Sequence, residues 1–326
     1  MYKSTNQMHT IIDDQEEYII SYANILSGLF KHQTNFLDYS DLKKFYNDPK
    51  KGVPLCLPKN IKYFDYSNAV YFKINKLEFS KKIFSTTNLK YVGNKKYFRY
   101  GNIFASNVVV KKKYYPKLKI YLKKILELKK KIQYLNLKSK SICSMQIRNV
   151  PHFGHEAIFK FLIDKFDFLV LNPIFGIKKK NDFSDKVISK SMKFIEKKYK
   201  KIKFLPIISN FHYAGPREAL HHMNLREGLG FNYFYIGRDH AGAENNFKSL
   251  DAIKIVNKFK NNFYIKPVTS LGGYYCKSCK KYLIKGNCGH KILLNISGTE
   301  LRKALREKKL YSHADKKLQL IINKLL

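Results

Sequence analysis

The sequence predicts an α/β fold for its second half, because strand-like apolar runs alternate with segments of helical spacing after residue 140. The strand-like runs lie at residues 141–147, 166–171, 202–208 and 231–236, and the helical segments lie at 217–227 and 246–259. This alternation is typical of a parallel sheet covered by helices, and hence of a Rossmann-like domain. Ligands of such sheets bind at the carboxyl ends of the strands.

The first 140 residues show a different pattern, with short β-rich runs at 69–74 and 103–110. Period-two alternation is only partial, so the pattern supports a small mixed or barrel-like domain and nothing finer. Residues 116–135 place apolar side chains at helical spacing between lysines, which predicts an amphipathic helix at the boundary. We therefore expect two domains, at residues 1–140 and 141–326.

Composition indicates a globular chain with a large excess of positive charge. The 326 residues are 44% hydrophobic and 15% aromatic, and 63 Lys and Arg against 24 Asp and Glu leave a net charge of +39. Such a field would attract anionic reactants or nucleic acid. However, abundant Lys, Asn, Ile, Tyr and Phe without Trp is what AT-rich coding produces. We interpret the charge as compositional and do not expect nucleic acid as a partner.

The sequence contains no recognisable targeting or membrane segment. Residues 1–14 lack an apolar region, and no apolar run approaches the roughly 20 residues of a membrane span. We expect a cytoplasmic protein that does not associate with membranes. Cys56 and Cys143 fit a reducing compartment, as isolated cysteines that behave as small buried hydrophobic residues.

Residues 146–156 predict an anion-binding turn between a strand and a helix. The first N–H groups of a helix have no intrahelical partner and carry the positive end of the helix dipole. Gly154 allows close approach of the backbone to a phosphate, while His152 and His155 can both donate hydrogen bonds to phosphoryl oxygens. Two histidines alone would fit a structural role equally well, so this interpretation needs a second signature.

The spacing of His152, Gly154 and His155 resembles the His-x-Gly-His signature of the nucleotidylyltransferase superfamily. Residues 296–302, Ile-Ser-Gly-Thr-Glu-Leu-Arg, resemble the second signature of that superfamily. An ordinary capped helix would also fit the second segment, since Ser297 is a good N-cap. Finding both signatures in this order implies that ATP is held between the two segments.

Four blocks of the chain resemble the ATP-sulfurylase family more narrowly. They are Gln146-x-Arg148-Asn149 with both histidines, residues 213–220, residues 237–242 (Gly-Arg-Asp-His-Ala-Gly) and residues 296–302. The resemblance implies transfer of the adenylyl group of ATP to sulfate, and a PUA-like domain in residues 1–140. A different adenylyl- or cytidylyltransferase would lack the Gln-x-Arg-Asn and Gly-Arg-Asp-His blocks. Ile147 and Phe153 stand where the family usually has a threonine and often has a basic residue, so a catalytically degenerate homologue stays open.

The resemblance also implies roles for individual residues. The catalytic residues would be Arg148, Asn149, His152, His155 and Arg238. Sulfate would bind Gln146, Arg148 and the backbone of Ala241. The nucleotide would bind Gln146, Asn149, His152, His155, Gly237, Arg238, Asp239, His240, Ser297 and Arg302. We assign residues 213–220 to shaping the site and treat His221 and His222 as incidental.

The expected chemistry is governed by charge. Sulfate is a dianion that needs no general base, so catalysis would consist of positioning two anions and neutralising the charge that develops. ATP and sulfate are the expected small-molecule partners, with Mg²⁺ arriving on ATP. A homo-oligomer stays open.

Cys276, Cys279, Cys288 and His290 have the spacing of a zinc knuckle. Three thiolates and one imidazole match a structural Zn²⁺ site with four protein ligands. The alternatives are incidental cysteines in a lysine-rich hairpin and a nucleic-acid-binding zinc module. We predict a structural zinc knuckle at residues 276–290, followed by a C-terminal helical segment.

Overall fold

A computed structural model describes residues 13–177, 182–238, 240, 247–291 and 293–326. The helices are α1 (Glu16–Leu26), α2 (Tyr39–Asn47), α3 (Lys76–Phe84), α4 (Val92–Tyr97), α5 (Tyr115–Leu137), α6 (Phe153–Lys165), α7 (Asp185–Lys198), α8 (Pro216–Leu229), α9 (Asp251–Phe259), α10 (Gly298–Arg306) and α11 (Lys316–Asn323). The strands are β1 (Leu57–Pro58), β2 (Phe64–Asp65), β3 (Val70–Lys73), β4 (Ile103–Ser106), β5 (Val109–Val110), β6 (Ile142–Met145), β7 (Phe168–Leu171), β8 (Ile174–Phe175), β9 (Ile202–Phe204), β10 (Ile207–Ile208), β11 (Tyr233–Ile236), β12 (Lys266–Thr269), β13 (Gly273–Cys276), β14 (Lys281–Ile284) and β15 (Leu293–Asn295).

A five-stranded parallel sheet in the order β12-β11-β6-β7-β9 forms the centre of the second half. The central strand β6 is buried along its whole length, as expected where helices cover both faces of a sheet. The predicted parallel sheet is therefore confirmed. The prediction of one strand at 202–208 is wrong, because Pro206 has no N–H for a ladder and divides the run into β9 and β10. Strand β10 pairs with β8 in a separate two-stranded sheet.

Helix α5 joins the first part of the chain to the sheet. Its buried side chains recur at helical spacing and are Leu118, Tyr121, Ile125, Leu128, Ile132 and Leu135. They pack toward α1, α8 and β10, so the predicted amphipathic helix is confirmed. One apolar core extends from α1 through α5 to β11, and residues on both sides of position 140 contribute to it.

Residues 13–114 combine short antiparallel strands with four helices. Strands β1, β4 and β3 form one antiparallel sheet, and β2 pairs with β5. Helix α1 begins with two buried carboxylates, which are paired with lysines: Glu16 with Lys117 at 3.1 Å and Glu17 with Lys96 at 2.8 Å. This part of the chain has the expected mixed character, and its assignment as PUA-like stays a prediction.

A three-stranded antiparallel sheet, β14-β13-β15, lies against α6. A second apolar core joins α6, α7, α10, α11 and β14, and Leu162, Leu301 and Leu318 are among its most buried members. Helices α10 and α11 form the expected C-terminal helical segment. Among the helices in the described ranges, none combines the length and apolar character that crossing a bilayer requires.

Candidate functional site

A cavity of about 290 Å³ opens at the carboxyl ends of β6 and β11. The predicted site residues that line it are Gln146, Arg148, Asn149, His152, His155, Gly237, Arg238 and His240. Strand β6 ends one residue before Gln146 and β11 ends one residue before Gly237, so two neighbouring parallel strands deliver both blocks to the same edge. Asp239 and Ala241 lie outside the described residues.

The two histidines cap helix α6 reciprocally. His152 is the N-cap, and its Nδ1 accepts a hydrogen bond from the backbone N–H of His155 at 3.3 Å. Nδ1 of His155 accepts from the backbone N–H of His152, also at 3.3 Å. Because both Nδ1 atoms act as acceptors, the proton of each neutral ring lies on Nε2. The turn therefore presents two imidazole N–H donors from adjacent rings, tilted by 34°, whose centroids are 3.9 Å apart.

Burial keeps both imidazoles neutral. Burial lowers the pKa of His152 to about 2, with further contributions from His155 and His313, and it lowers the pKa of His155 to about 4. A phosphate that displaced water here would therefore meet neutral donors at physiological pH. Such a pair can donate hydrogen bonds to a phosphoryl oxygen without transferring a proton to or from it.

The segment at residues 296–302 lies against the histidine turn. Ser297 caps α10 by accepting the backbone N–H of Glu300 at 3.2 Å. Arg302 donates from Nη2 to the side-chain oxygen of Asn149. Ser297 and Arg302 are not among the residues that line the cavity, but Arg302 fixes the amide orientation of Asn149, which does line it.

Two cavity residues from the third block make contacts that orient them. Arg238 donates from Nη1 to the hydroxyl of Tyr274, the second residue of β13. Nε2 of His240 lies 3.0 Å from Nδ1 of His222, within hydrogen-bonding distance. His222 is buried on α8, and its Nε2 lies 3.3 Å from Oε1 of Glu218 one turn earlier.

The prediction that His222 is incidental is therefore wrong. His222 and Glu218 both line the cavity, and the former contacts a predicted site residue. Burial lowers the pKa of His222 and His240 well below the ordinary value, so both rings are neutral. The signal available in the sequence is the i, i+4 spacing of Glu218 and His222 on a helix that begins at Pro216, directly after Gly215.

The two departures from the family pattern that favour a degenerate homologue, Ile147 and Phe153, have apolar surroundings. Ile147 is 3% exposed and belongs to the core beneath the sheet. Phe153 packs on Tyr282 of β14, with ring centroids 4.9 Å apart. Both side chains thus pack into the protein and serve the fold around the turn.

The four predicted metal ligands converge. Ligand atoms of Cys276, Cys279, Cys288 and His290 all lie within 4.8 Å of one another. A tetrahedral Zn²⁺ with thiolate ligands requires ligand atoms about 3.8 Å apart, so the cluster fits this ion after small adjustments. The backbone N–H of Cys279 donates to Sγ of Cys276 at 3.4 Å, and this lowers the pKa of the Cys276 thiol to about 7. A thiol that ionises this readily is suited to metal binding.

Comparison with known families and proteins agrees with the geometry. The family model described as ATP-sulfurylase matches residues 119–313. A sulfate adenylyltransferase of Pyrococcus abyssi is 28% identical, over 90% of this chain and 86% of the relative. A sulfate adenylyltransferase of Carboxydothermus hydrogenoformans is 31% identical, over 73% of this chain and 64% of the relative. Over a shorter stretch, 52% of this chain and 46% of the relative, identity to a sulfate adenylyltransferase of Ignicoccus hospitalis reaches 39%.

A solved structure shares the fold. The hexameric APS kinase from Thiobacillus denitrificans matches with a TM-score of 0.60 at 10% identity. The match covers 94% of this chain and 61% of that chain, so the present chain spans about three fifths of the solved one. At this identity the likeness concerns the mixed α/β architecture alone.

Proposed function

Because the chain belongs to the ATP-sulfurylase family, we propose that it is a sulfate adenylyltransferase, which converts ATP and sulfate to adenosine 5′-phosphosulfate and pyrophosphate. One observation carries the proposal: a single cavity is lined by residues from all four family blocks, at 146–155, 213–220, 237–242 and 296–302. Histidine turns alone would serve any nucleotidylyltransferase. The convergence of Gln146 and Arg148 with Arg238 supports a second anion beside ATP.

The charges of the site support attack by sulfate without a general base. Sulfate carries its own nucleophilic oxygen, and the four histidines nearest the cavity edge are neutral. The barrier is then the approach of two anions and the charge that develops on the departing pyrophosphate. Arg148 and Arg238 supply fixed positive charge, while His152 and His155 supply uncharged N–H donors. The reaction is reversible under this scheme, because pyrophosphate can attack the same phosphorus and displace sulfate along the same path.

Residue roles follow as part of the proposal. Sulfate binds Gln146, Arg148 and the backbone of Ala241, and the α-phosphate lies by Arg238. The remaining nucleotide contacts are assigned to Asn149, His152, His155, Gly237, Asp239, His240, Ser297 and Arg302. For Arg302 the geometry supports an action through Asn149, while Ser297 caps the helix that carries Arg302. Mg²⁺ carried by the triphosphate would neutralise part of its charge.

The finer architectural assignments belong to the same proposal. We assign residues 1–140 to a PUA-like domain, residues 141–326 to the catalytic domain and residues 276–290 to a structural zinc knuckle. The converged ligand atoms support the last assignment, and a cluster with four protein ligands leaves no position for a substrate. A cytoplasmic location and a homo-oligomeric state stay predictions.

The decisive experiment is sulfate-dependent exchange of labelled pyrophosphate into ATP. Wild type should exchange label only when sulfate is present, and Arg148→Ala should lose exchange while remaining folded. Arg306→Ala is the matched control, because it removes an exposed arginine from α10 and should retain exchange. A folded, ATP-binding wild type that exchanges no label would instead identify a degenerate homologue.

A further inference from the structure

We infer that Arg226 is a positioning residue, which fixes the side-chain amide of Gln146 so that its N–H groups face the cavity and bind sulfate. The inference rests on the proposed function. It adds a residue from outside the four sequence blocks to the machinery that recognises the second anion.

Arg226 connects helix α8 with the carboxyl ends of two strands. Its side chain is fully buried. Nε donates to Oγ of Ser144 at 3.0 Å, Nη1 to the carbonyl of His222 at 3.3 Å, and Nη2 to the carbonyl of Asn172 at 3.1 Å. Nη2 also donates to Oε1 of Gln146. The guanidinium carbon lies 4.5 Å from the ring centroid of Phe234, so the cation also rests on an aromatic face.

A simpler role would be to cap the C-terminal end of α8, where a cation is favourable. That role accounts for none of these bonds, because His222 lies in the middle of α8 and its carbonyl is not at the helix end. The remaining acceptors lie on β6, directly after it, and directly after β7. The guanidinium therefore braces the edge of the sheet at which the cavity opens.

The contact with Gln146 restricts how that side chain can be oriented. A guanidinium only donates hydrogen bonds, so it holds Oε1 and excludes the flipped amide. Nε2 must then point away from Arg226. It is buried and has no hydrogen-bond partner among the described residues, although Gln146 lines the cavity. A buried amide nitrogen without a partner is unfavourable until an acceptor arrives, and a sulfate oxygen is such an acceptor.

The charge of Arg226 favours the same ligand. All of its hydrogen-bond acceptors are neutral, whereas buried cations are usually paired with carboxylates. Burial accordingly lowers the pKa of Arg226 to about 9. A dianion next to Gln146 would compensate this charge, which a neutral ligand could not do.

The test is a double-mutant cycle in the full chain, with separate measurements for each substrate. Arg226→Lys keeps the charge but loses the forked contact, and we expect the KM for sulfate to rise about tenfold or more. ATP binding without sulfate, measured by calorimetry, should change by less than about twofold, because the proposed function assigns Gln146 to sulfate and Arg226 donates to no residue assigned there to the nucleotide. In a Gln146→Ala background, Arg226→Lys should add less than about twofold to the KM for sulfate, because both changes remove the same contact.

Ser144→Ala provides a milder second variant, in case the buried arginine cannot be replaced without unfolding. It removes the acceptor of Nε, so we expect about a two- to fivefold rise in the KM for sulfate, again absent in the Gln146→Ala background. Equal losses for ATP and sulfate, or effects that add to those of Gln146→Ala, would assign Arg226 a purely structural role and overturn the inference. Wild type without sulfate-dependent exchange would overturn the proposed function itself, and the inference with it.

Discussion

Gly273 packs backbone to backbone against Gly154, so the first strand of the hairpin with the metal ligands touches the histidine turn. A Cβ on Gly273 would lie 2.0 Å from the carbonyl oxygen of Gly154, which leaves no room for any side chain. The next residue, Tyr274, accepts the hydrogen bond from Arg238. The hairpin is therefore one wall of the cavity. Its position determines the positions of the histidine turn and of Arg238, which are both proposed to contact ATP.

Replacing Gly273 should damage the site without unfolding the protein. In Gly273→Ala the methyl group must displace either β13 or the turn, because both neighbours are backbone atoms. We expect ATP affinity to fall by about tenfold or more, since a displacement of about 1 Å is sufficient for losses of that order. Calorimetric titration of ATP measures the effect. Gly289→Ala is the matched control, in the loop after β14 between Cys288 and His290; nothing lies within 4 Å of its added Cβ, so it should keep the metal and bind ATP as wild type does.

Loss of the metal should weaken ATP binding, because the metal ligands belong to the segment that forms this wall of the cavity. Cys288→Ser removes one of the four converging ligands. We expect wild type to contain about one zinc per chain, and the variant to lose the metal, melt at lower temperature and bind ATP more weakly. Elemental analysis, thermal unfolding and ATP titration measure these three effects. Cys56→Ala, which changes a buried cysteine outside the cluster, should keep the metal. Full ATP affinity in a metal-free Cys288→Ser protein would contradict the proposed dependence of ATP binding on the metal.

The location of the site could be predicted from the sequence because it depends on local patterns. Gln146 and Gly237 each follow an apolar strand, and parallel strands place their carboxyl ends at one edge. The groups behind that edge depend on contacts between distant parts of the chain. His221 packs on Phe30, with ring centroids 4.8 Å apart, whereas its neighbour His222 contacts His240. A His-His pair on a helix does not reveal which ring faces the ligand.

The role of Ile147 also depends on long-range packing, so it could not be predicted from the sequence. Compared with the threonine usual in the family, Ile147 lacks a hydroxyl group. In the structure its side chain packs in the core under the sheet. The role of Arg226 was likewise invisible, since its acceptors come from β6 and from the end of β7. Local spacing contains no information about such partners.

The contact between Arg238 and Tyr274 should affect turnover more than binding. Tyr274→Phe removes the acceptor while keeping the ring, over which the guanidinium carbon lies at 5.6 Å. We expect kcat to fall by about three- to tenfold with little change in ATP affinity, because Arg238 is proposed to neutralise charge that develops during transfer. Steady-state kinetics in the direction of ATP synthesis test this. Tyr275→Phe, which alters the next tyrosine where it packs on Tyr282, should leave kcat unchanged.

Buried histidines should make the protein labile to acid. Burial lowers the pKa of His221 to about 4 and that of His155 to about 4, whereas histidine in an unfolded chain titrates near about 6.5. The unfolded state therefore binds more protons between about pH 6.5 and pH 4, so the free energy of unfolding decreases as the pH falls through that window. Each such histidine contributes a loss on the order of 3 kcal/mol across it.

A variant without one of these imidazoles should show a smaller dependence on pH. His221→Phe keeps an aromatic ring against Phe30 but binds no proton. Its stability at about pH 7.5 should lie close to that of wild type, and its loss of stability down to about pH 4.5 should be smaller. Urea unfolding at a series of pH values measures both quantities. His32→Phe, at an exposed position, should retain the wild-type slope. A slope that His221→Phe leaves unchanged would mean that the acid lability arises from other groups.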